Sequence, residues 1–215
     1  MLSQYATHVG LPDTVVVAER AQEKLSPAGQ QYVLSDPLFD ALSGLSTPTG
    51  ILGLGKVPQA VFDACTPRLK VLALDDVQDP GNLGTLLRTA AAAGVDEVWC
   101  SPHCAFAWAP KTLRASQGMQ FALRVHEQVN LLQALESFKG SVVATALHEA
   151  KDYRRWQASD SWCLIMGSEG QGVSPALLAR AEQKLCLPMR TGVESLNVAV
   201  AAGVLLYHFG GPNLE

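Results

Sequence analysis

The sequence lacks the excess of positive charge that is typical of proteins that coat nucleic acids. It has 16 Lys and Arg residues against 20 Asp and Glu residues, so the net charge over 215 residues is −4. This balance disfavours a general nucleic-acid coat protein but is compatible with an enzyme that has a local basic surface. Charged residues make up 17% of the chain and hydrophobic residues 48%, which is ample for a buried core.

Cysteine is scarce and scattered. The five cysteines form no even-numbered framework, so we expect free thiols and a reducing, cytoplasmic location. The stretch "CSPHC", residues 100–104, brings two thiols and His103 together. Nothing completes the four-ligand set of a structural zinc site, so no metal is expected.

Long hydrophobic runs are absent as well. The longest, residues 197–209, is about 13 residues and is too short to cross a bilayer as a helix. The opening "MLSQYATHVG" has no basic segment followed by an apolar core, so no signal peptide is expected. We therefore expect no membrane partner.

Residues 1–58 are predicted to form a small α/β domain, followed by a linker at 59–68 that contains proline. The segments "TVVVAE" and "QYVLS" predict strands. The segment "DPLFDALSG" predicts a helix with Asp36 as N-cap and Gly44 as its stop. The glycines of "GILGLG" favour a closely packed strand.

Residues 69–215 alternate strand and helix patterns, which predicts a parallel sheet covered by helices. The segment "LKVLALDDV" is apolar enough for a strand buried on both faces. We expect a turn at "QDPGNLG", with Asn82 just before a helix, and a strand at "QFALRV". The last helix, "LNVAVAAGVLLYHF", is predicted to begin at Ser195 as N-cap and to end at Gly210, Gly211 and Pro212. Because it is apolar on nearly every side, we expect it under the sheet or in a subunit interface.

Polar residues gather in three loops, at 79–88, 167–174 and 190–197, each after a predicted strand. Ligands bind at this edge of parallel sheets. Both glycine clusters read GxxGxG rather than the GxGxxG of dinucleotide-binding loops, and no Walker lysine follows, so a phosphate loop is disfavoured. Arg88 is either a surface residue of an amphipathic helix or an anion-binding guanidinium. Asn197 is expected to be a buried amide that needs partners.

The segment "HEAKDYRRWQ" interleaves Lys151, Arg154 and Arg155 with Tyr153 and Trp156. Such a segment can hold RNA by charge and stacking. A solvated connection between strands fits the same residues equally well.

Three segments together resemble the SpoU-type, TrmH-like branch of the SPOUT RNA methyltransferases. They are "DPGNLGTLLRTAAAAG", "IMGSEGQGVS" and "LPMRTGVESLNVAVAAGVLLYH", with "LRASQG" between the first two. The order and spacing of the motifs, which span most of residues 70–210, make the resemblance specific. Residues 1–58 are more loosely similar to the ribosomal-protein-like RNA-binding domain that often precedes this catalytic domain. They are shorter than usual and lack its basic leading helix, so we expect a trimmed or incomplete recognition domain.

The resemblance implies methyl transfer from S-adenosylmethionine to a ribose 2′-OH of rRNA or tRNA, with 23S-type rRNA favoured. It implies an α/β sheet with a C-terminal trefoil knot and a homodimer formed through the C-terminal helix. The implied residues fall into three sets. The catalytic set is Arg88, Asn82, Glu169, Ser195 and Asn197; the cofactor set is Ile165, Met166, Gly167, Leu187, Met189, Ser195 and Leu196; the RNA-binding set is Arg88, Arg114, Lys151, Arg154 and Arg155.

Glu169 bears on the choice of ligand. A carboxylate repels a pyrophosphate but is compatible with a sulfonium cofactor, which carries positive charge. We expect Glu169 to face Arg88 rather than solvent. Two alternatives remain at this point: a catalytically silent RNA-binding module of the same fold, and a nicotinamide-dependent Rossmann enzyme.

Overall fold

The computed structural model describes residues 1–25 and 27–210, so Gly211 and Pro212, predicted to end the last helix, lie outside the described residues. The chain divides into two compact units, residues 1–59 and 60–215. All five cysteines are free thiols. Within the described residues no helix has both the length and the apolar character needed to cross a membrane.

The first unit is a three-stranded sheet with two helices. The strands run in the order β2-β1-β3, with β2 parallel and β3 antiparallel to β1. The elements are α1 (Leu2–His8), β1 (Thr14–Ala18), β2 (Gln30–Leu34), α2 (Asp36–Ser43) and β3 (Ile51–Leu54). Sequence patterns indicated every element but α1, whose residues show no clear apolar period.

One cap in this unit was predicted wrongly. Ser35, not Asp36, is the N-cap of α2, and the Asp36 carboxylate instead accepts the Arg20 backbone N–H at 3.1 Å. Gly44 ends the helix with a φ of 61°, as predicted for a left-handed C-cap. The close-packed strand predicted at "GILGLG" is confirmed, because a Cβ at Gly53 would lie 2.1 Å from Cδ2 of Leu2.

The second unit is a seven-stranded sheet in the order β6-β5-β4-β9-β7-β10-β8, in which each strand pairs parallel with its neighbours. The predicted α/β class with a parallel sheet is confirmed. The strands are β4 (Lys70–Asp75), β5 (Glu97–Cys100), β6 (Arg124–His126), β7 (Ser141–Thr145), β8 (Lys151–Asp152), β9 (Trp162–Gly167) and β10 (Gln183–Cys186). The helices are α3 (Pro80–Ala92), α4 (Pro110–Ala115), α5 (Leu131–Ser137), α6 (Pro175–Arg180) and α7 (Val198–His208).

The central strands alternate their side chains between two hydrophobic layers. Leu72 and Leu74 of β4 pack in one layer with α3 and α7, while Val71 and Ala73 pack in the other with α5 and α6. The six residues of β9 are all buried. The sheet is thus covered on both faces, which leaves the carboxyl ends of its strands as the natural place for a ligand.

Three local predictions were wrong. The segment "QDPGNLG" is not a turn, because α3 already begins at Pro80 and Asn82 lies in its first turn. The segment "QFALRV" starts as a 3-10 helix and becomes strand only at Arg124. The polar connection after β7 contains the short strand β8.

The last helix, α7, is largely buried, as predicted. One stripe of its apolar surface does not pack against the rest of the chain and stays exposed. That stripe is Val200, Val204 and Tyr207, exposed by 55%, 39% and 56%. Residues four and three positions apart share a helix face, so these side chains form one apolar strip.

Candidate functional site

A hydrogen-bonded network joins the three loops predicted to carry the chemistry. The Asn82 side chain, at the start of α3, donates to the carboxylate of Glu169 in the loop after β9. The side-chain oxygen of Asn82 accepts a hydrogen bond from Nδ2 of Asn197, the residue just before α7, at 2.9 Å. Residues from three distant segments thus meet at the carboxyl edge of the sheet, where β9 lies between β4 and β7.

The first loop is fixed by Asp79, the N-cap of α3. Its carboxylate accepts the backbone N–H of Asn82 at 2.8 Å and lies 3.6 Å from Nζ of Lys111. The hydrogen bond from the Asn82 backbone, and to a lesser degree Lys111, hold the pKa of Asp79 below its ordinary value. Asp79 therefore stays charged and keeps Asn82 in place near neutral pH.

The glycine-rich loop after β9 folds back tightly on its own strand. The Gly172 N–H donates to the Ser168 carbonyl at 2.9 Å, and Gly172 has a φ of 68°. A Cβ at Gly167 would lie 2.0 Å from both the carbonyl carbon and oxygen of Gly172. The Ser174 N–H donates to the carboxylate of Asp75 at 2.8 Å, so the end of β4 anchors this loop. Asp75 is a positioning residue that the sequence analysis did not select.

The third loop ends at Asn197, which is the N-cap of α7. Its Oδ1 accepts the N–H groups of Ala199 at 3.0 Å and Val200 at 3.3 Å. The prediction that Ser195 caps this helix is wrong, since Ser195 lies two residues before the cap. Asn197 is exposed rather than buried, yet both ends of its amide have partners.

A cavity of about 450 Å³ opens beside this network, within the usual size range of small-molecule sites. Six of the seven predicted cofactor residues line it: Met166, Gly167, Leu187, Met189, Ser195 and Leu196. The seventh, Ile165, does not line it, because its side chain is fully buried in the layer of α5 and α6. Residues 145–149, the last residue of β7 and the four that follow it, also line the cavity and were missed. Only their position at the end of β7, the strand that pairs with β9, could have identified them.

The charges around the cavity favour a cationic ligand over an anionic one. Glu149 and Glu169 line it, and Lys184 is the one Lys or Arg among its described lining residues. That lysine is paired with Glu149 at 3.3 Å. A pyrophosphate would meet a carboxylate here, whereas a sulfonium would meet an attractive charge.

Arg88 lies outside this cavity. Its side chain is exposed on α3, and within the described residues it forms no ion pair. Glu169 is exposed to solvent, contrary to the prediction. It accepts a hydrogen bond from Asn82 and lines the cavity, while a contact between Glu169 and Arg88 stays a prediction.

Comparison with known proteins identifies the family of this chain. The model of the SpoU rRNA methylase family matches residues 70–207, more than half of the chain. The chain belongs to the SpoU rRNA methylase family. The predicted family and enzyme class are therefore confirmed, and the nicotinamide alternative is dropped.

Individual relatives of this SpoU chain agree. It is 41% identical, over 89% of its length and 77% of the relative's, to the 23S rRNA (guanosine(2553)-2′-O)-methyltransferase RlmP of Bacillus subtilis. It is similar to the SpoU methyltransferase AviRb of Streptomyces viridochromogenes, solved in complex with AdoMet, with a TM-score of 0.82, 22% identity and coverage of 96% and 85%. It is also similar to the TrmH/SpoU tRNA modifying enzyme of A. aeolicus, with a TM-score of 0.59, 31% identity and coverage of 66% and 74%.

The predicted RNA-binding cations of this SpoU chain do not share one environment. Arg114, Lys151 and Arg155 are exposed. Arg154 forms an ion pair with Asp152, whose pKa falls to about 2 mainly through the hydrogen bond from the Arg154 side chain. Its charge is thus partly neutralised.

The stacking part of the prediction for "HEAKDYRRWQ" is wrong for one aromatic residue. The Trp156 ring is buried against Phe209, with 4.3 Å between the ring centroids. Tyr153 lies edge-on to His208 at 5.0 Å. Trp156 therefore packs in the core, whereas Lys151, Arg154 and Arg155 are exposed.

Substitutions at Asn197 separate its two contacts. Serine is an equally good N-cap but does not place an amide against Asn82. We expect Asn197→Ser to keep the free energy of unfolding and to lower methyl transfer, whereas Asn197→Ala lowers both and costs about 1 kcal/mol of stability. Urea unfolding and a methyl-transfer assay on the same preparations check this. Full activity in the serine variant would show that the contact with Asn82 has no catalytic role.

Proposed function

We propose that this chain transfers a methyl group from S-adenosylmethionine to a ribose 2′-OH of 23S rRNA. The observation that carries the proposal is the network of Asn197, Asn82 and Glu169, which closes three loops around one cavity. The 2′-O-methyltransferase activity that the name of the B. subtilis relative states supports the reaction and the RNA. A guanosine corresponding to its position 2553 is the proposed target.

The residues present fit S-adenosylmethionine. The loop packs so closely on Gly167 that a side chain there would clash with the backbone of Gly172, so backbone atoms form this wall of the cavity. Met166, Leu187 and Leu196 give apolar walls for a flat adenosine ring, and Glu169 supplies negative charge. When bound, this cofactor supplies an electrophilic methyl group on a sulfonium.

The chain's own residues then orient the ribose and assist loss of the proton from its 2′-hydroxyl. Methyl transfer needs the 2′-oxygen held in line and its proton lost to solvent or to a neighbouring base. A guanidinium stays protonated in proteins and only donates hydrogen bonds, so Arg88 is assigned to the adjacent phosphate and to the developing negative charge on the oxygen. We assign Ser195, which lines the cavity, and Asn197, which bonds Asn82 in the network, to holding the ribose, and Asn82 and Glu169 to fixing the positions of the loops.

We also propose that the protein acts as a homodimer. The apolar stripe of Val200, Val204 and Tyr207 on α7 supports this, since a second copy would cover it. Arg88 lies on α3, which packs against α7, so a dimer formed there would bring Arg88 close to the interface.

Three finer features belong to the same proposal. A trefoil knot is supported by the insertion of β9 between β4 and β7, and by the meeting of loops 145–149, 167–174 and 187–197 at one cavity. Residues 1–58 are proposed to be a ribosomal-protein-like RNA-recognition domain joined by a linker at 59–68 to the catalytic domain at 69–215. The location proposed is the cytoplasm, where rRNA is available.

The purified protein tests the proposal directly. Wild-type protein, S-adenosylmethionine with a labelled methyl group and 23S rRNA transcripts should yield label in a 2′-O-methylated nucleotide. The alternative, a silent RNA-binding module, predicts RNA binding without transfer. Calorimetry with S-adenosylmethionine discriminates further, because a silent module does not need to bind the cofactor.

A further inference from the structure

Phe106 is a large apolar side chain that the fold holds in solvent. It lies in loop 101–109, after β5, and is 58% exposed. Its backbone carbonyl accepts the hydroxyl of Thr112 at 2.9 Å and the N–H of Ala109 at 3.2 Å, so the backbone is fixed to the start of α4. Its ring makes no stacking contact with another aromatic ring in residues 1–25 and 27–210. An exposed ring on an ordered backbone needs less ordering when it binds a partner.

Two hydrogen bonds join loop 101–109 to residues 76–77, which lie just before the candidate site. The N–H of Ala105, next to Phe106, donates to the carbonyl of Val77 at 2.8 Å. The N–H of Asp76 donates to the hydroxyl of Ser101 at 3.0 Å. Val77 lies two residues before Asp79, which holds Asn82. The Phe106 ring therefore lies on the same edge of the sheet as the network.

Exposed cations lie on the two helices next to this loop, although Lys111 is paired with Asp79, and the carboxylate of Glu127 accepts the N–H of Ala107 within the loop. Lys111 and Arg114 are exposed on α4, which begins four residues after Phe106. Helix α3 carries the exposed Arg88 and packs tightly on α4, since a Cβ at Gly84 would lie 2.6 Å from the carbonyl oxygen of Thr112. Exposed cations beside an uncovered aromatic ring are the arrangement that binds single-stranded RNA, with phosphates on the cations and a base on the ring.

We propose that Phe106 is a stacking platform for an unpaired nucleobase of the RNA, next to the nucleotide that is methylated. The inference rests on the proposed function for the identity of the RNA. Stacking tolerates any base, because every base has a flat face. Phe106 thus contributes RNA affinity and orientation of the strand, while the cavity binds the cofactor independently.

The test is a substitution series at Phe106 with a matched control. Phe106→Trp keeps a flat ring, Phe106→Leu keeps apolar area without a ring, and Phe106→Ala removes both. Leu132→Ala, at an exposed leucine of α5, controls for loss of surface hydrophobicity. The probe is a fluorescently labelled fragment of 23S rRNA that contains the guanosine corresponding to position 2553, and binding is followed by anisotropy.

We expect Phe106→Ala and Phe106→Leu to weaken RNA binding about tenfold or more, and to raise the KM for RNA in step. Phe106→Trp and Leu132→Ala should bind RNA like the wild type, and all variants should keep the calorimetric affinity for S-adenosylmethionine. Wild-type RNA affinity in Phe106→Leu would overturn the proposal. A change of oligomeric state in Phe106→Ala, seen by light scattering, would also overturn it and assign Phe106 to a contact between copies. If the wild type binds RNA but transfers no methyl group, the proposed function fails, while the binding series still decides the role of Phe106.

Discussion

Replacing Arg88 by alanine is expected to lower methyl transfer about 100- to 1,000-fold, the loss that follows removal of a donor aimed at developing negative charge. The affinity for S-adenosylmethionine should not change, because Arg88 is absent from the residues that line the cavity. Single-turnover rates and calorimetry on one preparation measure the two effects separately.

Two further variants control the Arg88 experiment. Arg180→Ala removes an exposed arginine from the end of α6 and should leave the rate unchanged. Arg88→Lys keeps the charge but loses the planar fork that binds a phosphate with two parallel hydrogen bonds, so it should recover only part of the rate. Wild-type turnover in Arg88→Ala would remove Arg88 from the mechanism.

Adding a single methyl group at Gly167 is expected to abolish cofactor binding. The new Cβ would lie 2.0 Å from backbone atoms of Gly172 and 2.3 Å from the backbone nitrogen of Val173, and no side chain can move aside to relieve the contact. The loop must therefore open, which distorts the cavity and costs about 3 kcal/mol of stability by overpacking. Thermal unfolding and calorimetry with S-adenosylmethionine measure both losses.

Gly170 provides the matched control in the same loop. A Cβ there would meet no heavy atom within 4 Å, so Gly170→Ala should unfold like the wild type and, although Gly170 also lines the cavity, should weaken cofactor binding far less than Gly167→Ala does. If Gly167→Ala and Gly170→Ala behave alike, the close approach of loop and strand at Gly167 does not shape the cavity.

The strands of the second unit could be predicted because their signal is local. The segment "LKVLALDDV" is apolar from Val71 to Leu74, and such a run is expected of a strand buried on both faces. The start of α3 was misjudged because Pro80 and Gly81 resemble a turn. The same residues fit a helix whose N-cap is Asp79, with proline in the first turn, where its missing N–H costs nothing.

The parts of the site that could not be predicted depend on which strands become neighbours in the sheet, and no local sequence pattern gives the strand order. Residues 145–149 line the cavity only because β7 lies beside β9. Trp156 looks like an RNA-stacking residue beside Arg155, but the fold turns its ring onto Phe209. Ser195 and Asn197 are equally good N-caps by residue type, and the point at which the helix begins selects Asn197.

We propose that this chain methylates a ribose of 23S rRNA with the help of Arg88. Mapping 2′-O-methyl groups in rRNA from cells that lack the gene, complemented with wild type or Arg88→Ala, tests it most directly. We expect one modification, at the guanosine corresponding to position 2553, to disappear in the deletion strain and to return only with the wild-type gene. An unchanged 2′-O-methyl profile in the rRNA of the deletion strain would contradict it.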